Sequence, residues 1–265
     1  MSARGCTEVT ARSWFIGYQT IVIKEITRIL RIWAQTLIPP AITMSLYFVI
    51  FGQLIGRRIG EMGGMDYMQF IVPGLIMLSV ITNSYGNITS SFFGAKFGRH
   101  VEELLISPLP PFLILAGYVT GAVFRALAVG ALVLVVASFF SEIRIHSWSV
   151  TISIVLLTSV VFALGGFINA IFAQKFDDIS IIPTFVLQPL TYLGGVFFSV
   201  DLLPGFWQHL ALANPILYMV NAFRYGMLGV SDVPLTGAFA IIIVFMLALG
   251  AVCITLLKRG TGLRT

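Results

Sequence analysis

Apolar runs of about twenty residues recur from one end of this chain to the other, and a run of that length has one common role, crossing a hydrocarbon layer ~30 Å thick. Six such runs stand out, at residues 35–55, 68–88, 113–140, 150–173, 180–200 and 236–257. Composition removes the alternative of a soluble fold. Only 10% of the residues are charged and 58% are hydrophobic, where soluble domains carry about 25% charged residues. No polar stretch reaches even 35 residues, so no separate soluble domain fits. An all-α integral membrane protein is expected, because a helix satisfies its backbone N–H and C=O groups within its own segment.

The runs are embedded in a simple domain plan. Residues 1–13 read as a disordered tail without the apolar core of a cleavable signal peptide. Residues 14–33 read as an amphipathic helix, with Phe15, Val22, Ile26, Ile29 and Trp33 on one face and Lys24, Arg28 and Arg31 opposite. That pattern suits either an interfacial helix whose basic side chains meet anionic headgroups or a polar extension of the first span. Residues 34–265 form one transmembrane domain. With the N-terminus inside, the inner segments carry eleven basic residues: Arg4, Arg12, Lys24, Arg28, Arg31, Lys96, Arg99, Lys175, Lys258, Arg259 and Arg264. The outer segments carry four, Arg57, Arg58, Arg144 and Arg224, which favours both termini being cytoplasmic.

Between the second and third runs lies the stretch 93–111, which holds Lys96, Arg99, His100, Glu102 and Glu103 within eight residues. A short helix over 99–107 places Val101, Leu104 and Leu105 on one face, and Pro108, Pro110 and Pro111 stop it. Two turns are too few to be stable alone in water. The stretch is either a solvated return to the membrane or a docking element for a soluble partner.

The region 201–232 is apolar yet cut by Pro204 and by Asn214-Pro215. A pair of half-helices entering from the outer face preserves the charge rule, and irregular backbone at that depth must be buried in protein or line a cavity. Within the spans, Ser79, Asn83 and Asn87 draw a polar stripe at four-residue spacing, and Arg125 is the one formal charge well inside a run. Both must find partners or water, through structural pairing or by lining a pathway. No catalytic constellation is present in the sequence. His100, His146 and His209 fall on different loops, and Cys6 and Cys253 form no ligand cluster. No G-x-x-x-x-G-K-[ST] loop occurs, so ATP, if it is used, is bound elsewhere. Basic residues interleaved with stacking aromatics, the mark of nucleic-acid binding, are also missing.

The motif Glu-Glu-Leu-Leu-Ile-Ser-Pro at 102–108, together with Asn214-Pro215, Tyr218 and Arg224, resembles the type-2 ABC exporter permeases, which include polysaccharide and drug exporters. The resemblance implies six spans, an N-terminal interfacial helix, a re-entrant helical hairpin over 201–232 and a homodimer served by two copies of a separate P-loop ATPase. It implies that ATP and Mg are bound by that partner and none by this chain, which is therefore no enzyme on its own. It assigns the coupling role to Arg99, Glu102, Glu103, Leu104, Leu105 and Pro108, and a gate to Pro204, Trp207, Asn214, Pro215, Tyr218 and Arg224. Ser79, Asn83, Asn87 and Arg125 are the pathway candidates, and Lys24, Arg28 and Arg31 the contacts with membrane lipid. The expected function is export of a drug, lipid or lipid-linked glycan across a bacterial inner membrane. A secondary carrier or channel without an ATPase is the rival, and it would need carboxylates within the membrane, which the apolar centres of the six runs lack. A scaffold that transports nothing is the third reading.

Overall fold

The computed structural model describes residues 11–62, 64–143 and 145–262. The expected tail over 1–13 lies outside the described residues except at its last three positions, which already belong to a helix; Arg4, Cys6, Arg144 and Arg264 also lie outside them. The helices are α1 (Ala11–Arg31), α2 (Trp33–Ile59), α3 (Tyr67–Phe97), α4 (His100–Ile106), α5 (Pro111–Ser138) and α6 (Trp148–Phe172). They are followed by α7 (178–193), α8 (Gly205–Leu212), α9 (Pro215–Leu228) and α10 (Leu235–Arg259). A small antiparallel hairpin, β1 (Glu61–Met62) against β2 (Met65–Asp66), turns the chain from α2 into α3. Asp66 then caps α3 by accepting the Met68 N–H at 3.2 Å, which satisfies one of the helix's free donors.

Helix α3 is the pillar of the bundle. Of its most apolar stretch 83% is buried, against 17% for α2 and for α10, so those two present their apolar sides outward. The fit between α3 and α6 depends on small residues and hydroxyls. A Cβ at Gly166 would lie 2.6 Å from the Tyr85 carbonyl oxygen, so only glycine allows the two backbones to come this close. Beside it the Thr89 hydroxyl donates to the Gly166 carbonyl at 3.1 Å, and the Ser84 hydroxyl donates to that of Ser159. Bulky groups fill the rest of the seam: Phe92 packs on Phe167 at 4.2 Å and edge-on to Tyr118 at 5.3 Å between ring centres.

Among the described residues five helices are long and apolar enough to cross a membrane, one fewer than the six apolar runs, because the run at 180–200 is helical only through residue 193. Sixteen helical residues rise about 24 Å, short of a ~30 Å core. Gly194-Gly195 ends that helix, with Gly195 at φ +73°, and the chain turns back toward α3. The stretch expected as a loop from residue 93 is also shorter, since α3 continues through Phe97. Phe93 and Phe97 each pack on Phe176 at 5.0 Å, and this contact holds the last turn of α3 in register.

Candidate functional site: a cleft beside α3 and the short helix at its end

Along one side of α3, between α2 and α7, lies a cleft of about 340 Å³. Its walls are mostly apolar, but Thr43, Tyr47, Thr82, Gln188 and Tyr192 bring polar atoms to it. Thr82 and Gln188 are exposed. The Thr82 hydroxyl donates to the Leu78 carbonyl at 2.8 Å and the Gln188 amide to the Tyr192 hydroxyl at 3.3 Å, and their remaining polar capacity is open to water, another helix or a polar ligand. One end of the cleft is closed by rings: Phe51 lies 4.5 Å and Tyr47 and Tyr192 each 6.0 Å from Phe197. The Tyr67 hydroxyl holds that ring's backbone by donating to the Phe197 carbonyl at 3.1 Å.

At its far end α3 breaks into α4 across only Gly98 and Arg99. Arg99 sits at φ +60°, a left-handed backbone that ordinary side chains seldom adopt, and this sets the angle of α4. Of the face expected from the sequence, Val101 is buried and Leu104 partly so, while Leu105, Glu102 and Glu103 are exposed. Ile106 is 85% exposed, so the tip of α4 carries an uncovered apolar side chain. The helix stops there, short of Pro108, and Ser107 donates to the Leu104 carbonyl at 2.6 Å. Behind the turn a cavity of about 550 Å³ lies among Phe93, Lys96, Phe97, Arg99, Phe172 and Gln174. The Lys96 ammonium donates to the carbonyls of Ile171 and Ala173 at 2.5 and 2.8 Å, a cation on the free carbonyls where α6 ends. Next to it, the Asp178 carboxylate accepts the backbone N–H groups of Gln174 and Lys175 at 2.8 and 2.9 Å. These bonds hold it below the usual aspartate range and make the α6–α7 turn.

The N-terminal helix departs from its sequence pattern. Its inward row is Ile21, Glu25 and Ile29, against α5 and α3, while Phe15 and Trp33 are exposed. Of the three basic residues read as lipid contacts, Lys24 and Arg31 are exposed, and Lys24 also donates to the Tyr118 hydroxyl at 3.3 Å. Arg28 is corrected: it turns inward, donating to Glu25 at 3.0 Å and to the Asn87 side-chain carbonyl at 2.8 Å. Glu25 is fully buried and receives the Ser91 hydroxyl. Farther along, Arg125 donates to the Asn83 side-chain carbonyl at 3.3 Å, and the Ser79 hydroxyl donates to the Leu75 carbonyl one turn back. The polar stripe thus finds its partners in α1, α5 and α3 itself, and the cleft is lined instead by Thr82 and Gly86.

Within 201–232, the prolines and Asn214 act where the sequence places them. Pro204 precedes α8, whose Phe206 and Trp207 are exposed. Asn214 caps α9, accepting the Ile216 N–H at 3.0 Å while donating to the Leu190 carbonyl of α7 at 2.6 Å, and Pro215 opens the helix. Tyr218 donates to the Leu212 carbonyl at 2.8 Å and so ties α9 back to α8. Arg224, counted above among the outer loop charges, is corrected: it is wholly buried. Its guanidinium lies 3.9 Å from the centre of the Phe70 ring, donates to the Gly195 carbonyl and to Asn221, and stands 3.8 Å from the Asp232 carboxylate. One side chain therefore joins α3, the turn after α7, α9 and the loop before α10.

Glu25 is the residue that reading by composition missed. Its signal was present: it is the acidic member of a row at four-residue spacing with Ile21 and Ile29, three residues before Arg28. Of the Arg224 partners Asn221 is local, one turn back on α9, but Phe70 and Gly195 lie far off in the chain and left no signal near Arg224.

A bundle of long apolar helices about a buried pillar, with a lateral cleft and a short helix breaking from the pillar's end, is the architecture of a polytopic membrane protein. The chain belongs to the ABC-2 type transporter family, whose family model matches residues 17–228. It is 57% identical over 252 residues to the inner membrane transport permease YadH of Escherichia coli K12, covering 95% of this chain and 98% of that protein. It is 28% identical over 185 residues to nodulation protein J of Rhizobium leguminosarum bv. trifolii, covering 69% of this chain and 71% of the relative. Identity to nodulation protein J of Rhizobium meliloti strain 1021 is 26% over the same length.

Proposed function

We propose that this chain is the membrane subunit of an ATP-driven exporter of the inner membrane, worked by a separate P-loop ATPase that docks on α4. The observation that carries the reading is the junction at Arg99. A short helix with the uncovered side chains of Glu102, Glu103, Leu105 and Ile106 is joined through two residues to the pillar that floors the cleft. From Phe97 to Thr82 that pillar runs about 22 Å as one helix, so a push passed through the Arg99 junction is carried to the cleft by a single helix.

In this reading two copies of the chain face one another across the cleft, whose exposed Thr82 and Gln188 then line a shared route for a hydrophobic or amphipathic substrate. The helix α7 serves as the shortened fifth span, and α8 and α9 form the re-entrant pair before the last span, α10. Both termini and α4 lie on the cytoplasmic side. ATP and Mg belong to the partner, and ATP acts by binding one of two arrangements of the pair more tightly than the other. A proton-coupled carrier would need a carboxylate facing the route. The fully buried Glu25 of α1 is held by Arg28 of the same helix and by Ser91 of α3, outside the residues that line the cleft.

The test is recovery of the ATPase. Detergent-solubilised chain carrying E102K and E103K, or I106E, is expected to lose the co-purifying P-loop protein while eluting as the parent does. Undiminished recovery with both variants would place the docking surface elsewhere.

A further inference from the structure

Away from the cleft, two adjoining cavities meet where α5 gives way to α6. The first, of about 210 Å³, is lined by apolar groups that include Ile76 and Val80 of α3, Leu134 of α5, Ile152 and Val155 of α6, and Phe223 of α9. Thr151 is the hydroxyl among its lining residues, and that group is spent on the Ser147 carbonyl at 2.8 Å. The second, of about 280 Å³, shares Ile145 and Met227 with the first but is lined by Gln69, Glu142 and His146. His146 is fixed there: its backbone N–H donates to the Met227 carbonyl at 3.0 Å, and its ring meets Tyr225 edge-on. Trp148, 63% exposed, stands at the boundary, as an aromatic at a membrane–water interface does.

The apolar cavity is a groove cut through the outer layer of helices down to the pillar. It exists because α5 carries Gly130 and Ala131 at this level, and a Cβ at Gly130 would lie 3.0 Å from Val80. From Trp148 to Val155 it runs about 10 Å along α6. On α3 its floor lies roughly 150° around the helix from Thr82 and Tyr85, so it is no part of the cleft. Water does not fill an apolar groove, and an empty one forfeits contacts on one side. In a bilayer the group on hand is an acyl chain.

We propose that these cavities form a site for one phospholipid, its acyl chain along the α5–α6 groove and its headgroup in the pocket of Gln69, Glu142 and His146. The pocket favours a zwitterionic aminophospholipid over an anionic one. A carboxylate accepts several donors at once, so an ammonium can join the existing partner of Glu142, while Gln69 and His146 offer N–H groups to the phosphate. The bound lipid braces the start of α3 against α6 and α9, and neither cleft nor ATPase is required for it to bind.

The experiment uses the full chain with Trp148 as its one tryptophan, Trp14, Trp33 and Trp207 having been changed to Phe, in detergent micelles titrated with brominated phosphatidylethanolamine. Bromine on the chain quenches Trp148 when the groove fills. Quenching is expected at a mole fraction about tenfold lower than in A131F, whose ring occupies the groove, and lower for phosphatidylethanolamine than for brominated phosphatidylglycerol. E142Q, which leaves the groove open, is expected to erase the headgroup preference while keeping tight quenching, and this variant guards against a folding defect in A131F. Equal quenching of parent and A131F, or equal response to the two headgroups in the parent, would overturn the proposal.

Discussion

The carboxylate of Glu25 accepts the hydroxyl of Ser91 at 2.6 and 2.7 Å, and that contact fastens the N-terminal helix to the pillar of the bundle. Arg28 extends it to Asn87, so an acid, a base, a hydroxyl and an amide form one buried cluster across α1 and α3. Breaking such a cluster leaves a charge uncompensated, whereas neutralising both charges does not. E25A is therefore expected to destabilise the protein by about 3 kcal/mol, read as a lowered melting temperature in detergent. The double variant E25Q/R28Q is expected to recover a substantial part of that loss. Additive losses in the pair would show that the two side chains act independently.

Arg224 makes a comparable prediction at the other end of the pillar. Its removal strands the Asp232 carboxylate and the Gly195 carbonyl and opens a void against Phe70. R224A should cost about 3–5 kcal/mol. R224K should recover only part of it, since a compact ammonium neither stacks on the ring nor bridges several acceptors as the planar fork does. Thermal melting of both variants checks the order, and a lysine variant equal to the parent would show that charge alone is what the site needs.

The backbone of Arg99 yields a prediction of opposite sign. At φ +60° glycine is at ease and an arginine is not, so R99G should hold or raise stability, by up to about 1 kcal/mol. R99P cannot adopt that angle and should misplace α4, lowering ATPase recovery while the membrane bundle stays folded. Circular dichroism with co-purification reads both effects.

Acid should loosen the α6–α7 turn in a defined window. The two backbone donors, and Lys175 to a smaller extent, favour the charged form of Asp178, so its folded-state pKa lies below its value in the unfolded chain. The contribution to the turn is thus complete above the ordinary value of 3.8 and is lost as pH falls through the lower, folded-state value. Amide exchange at Gln174 and Lys175, corrected for intrinsic rate, should stay protected down to that range in the parent. In D178N protection should be weaker and independent of pH.

Run length made most of this fold legible in the sequence. The five long helices fall within a few residues of the apolar runs, except where α3 continues to Phe97, and Asn214-Pro215 marks the start of α9 because both residues have strong local preferences at a helix entrance. What hydropathy could not see was the end of α7. The run at 180–200 is apolar throughout, yet Gly194-Gly195 turns the chain, and only the contact with α3 shows why it turns there. The Arg99 kink is likewise a tertiary matter, for nothing local selects a left-handed arginine. Arg28 and Arg224 were misread as surface charges because a count of charges by segment takes each as solvated, while the groups that draw them inward, Asn87 for Arg28 and Phe70 and Gly195 for Arg224, lie far off in the chain.

The central claim, that a separate ATPase works this bundle through α4, is tested most directly in proteoliposomes. The purified chain is reconstituted with and without its co-purifying P-loop protein, and ATP-dependent movement of an amphipathic fluorescent probe is followed. Movement that requires the second polypeptide, and that falls to background with E102K/E103K, is the predicted result. Movement of the probe by this chain alone would contradict the account.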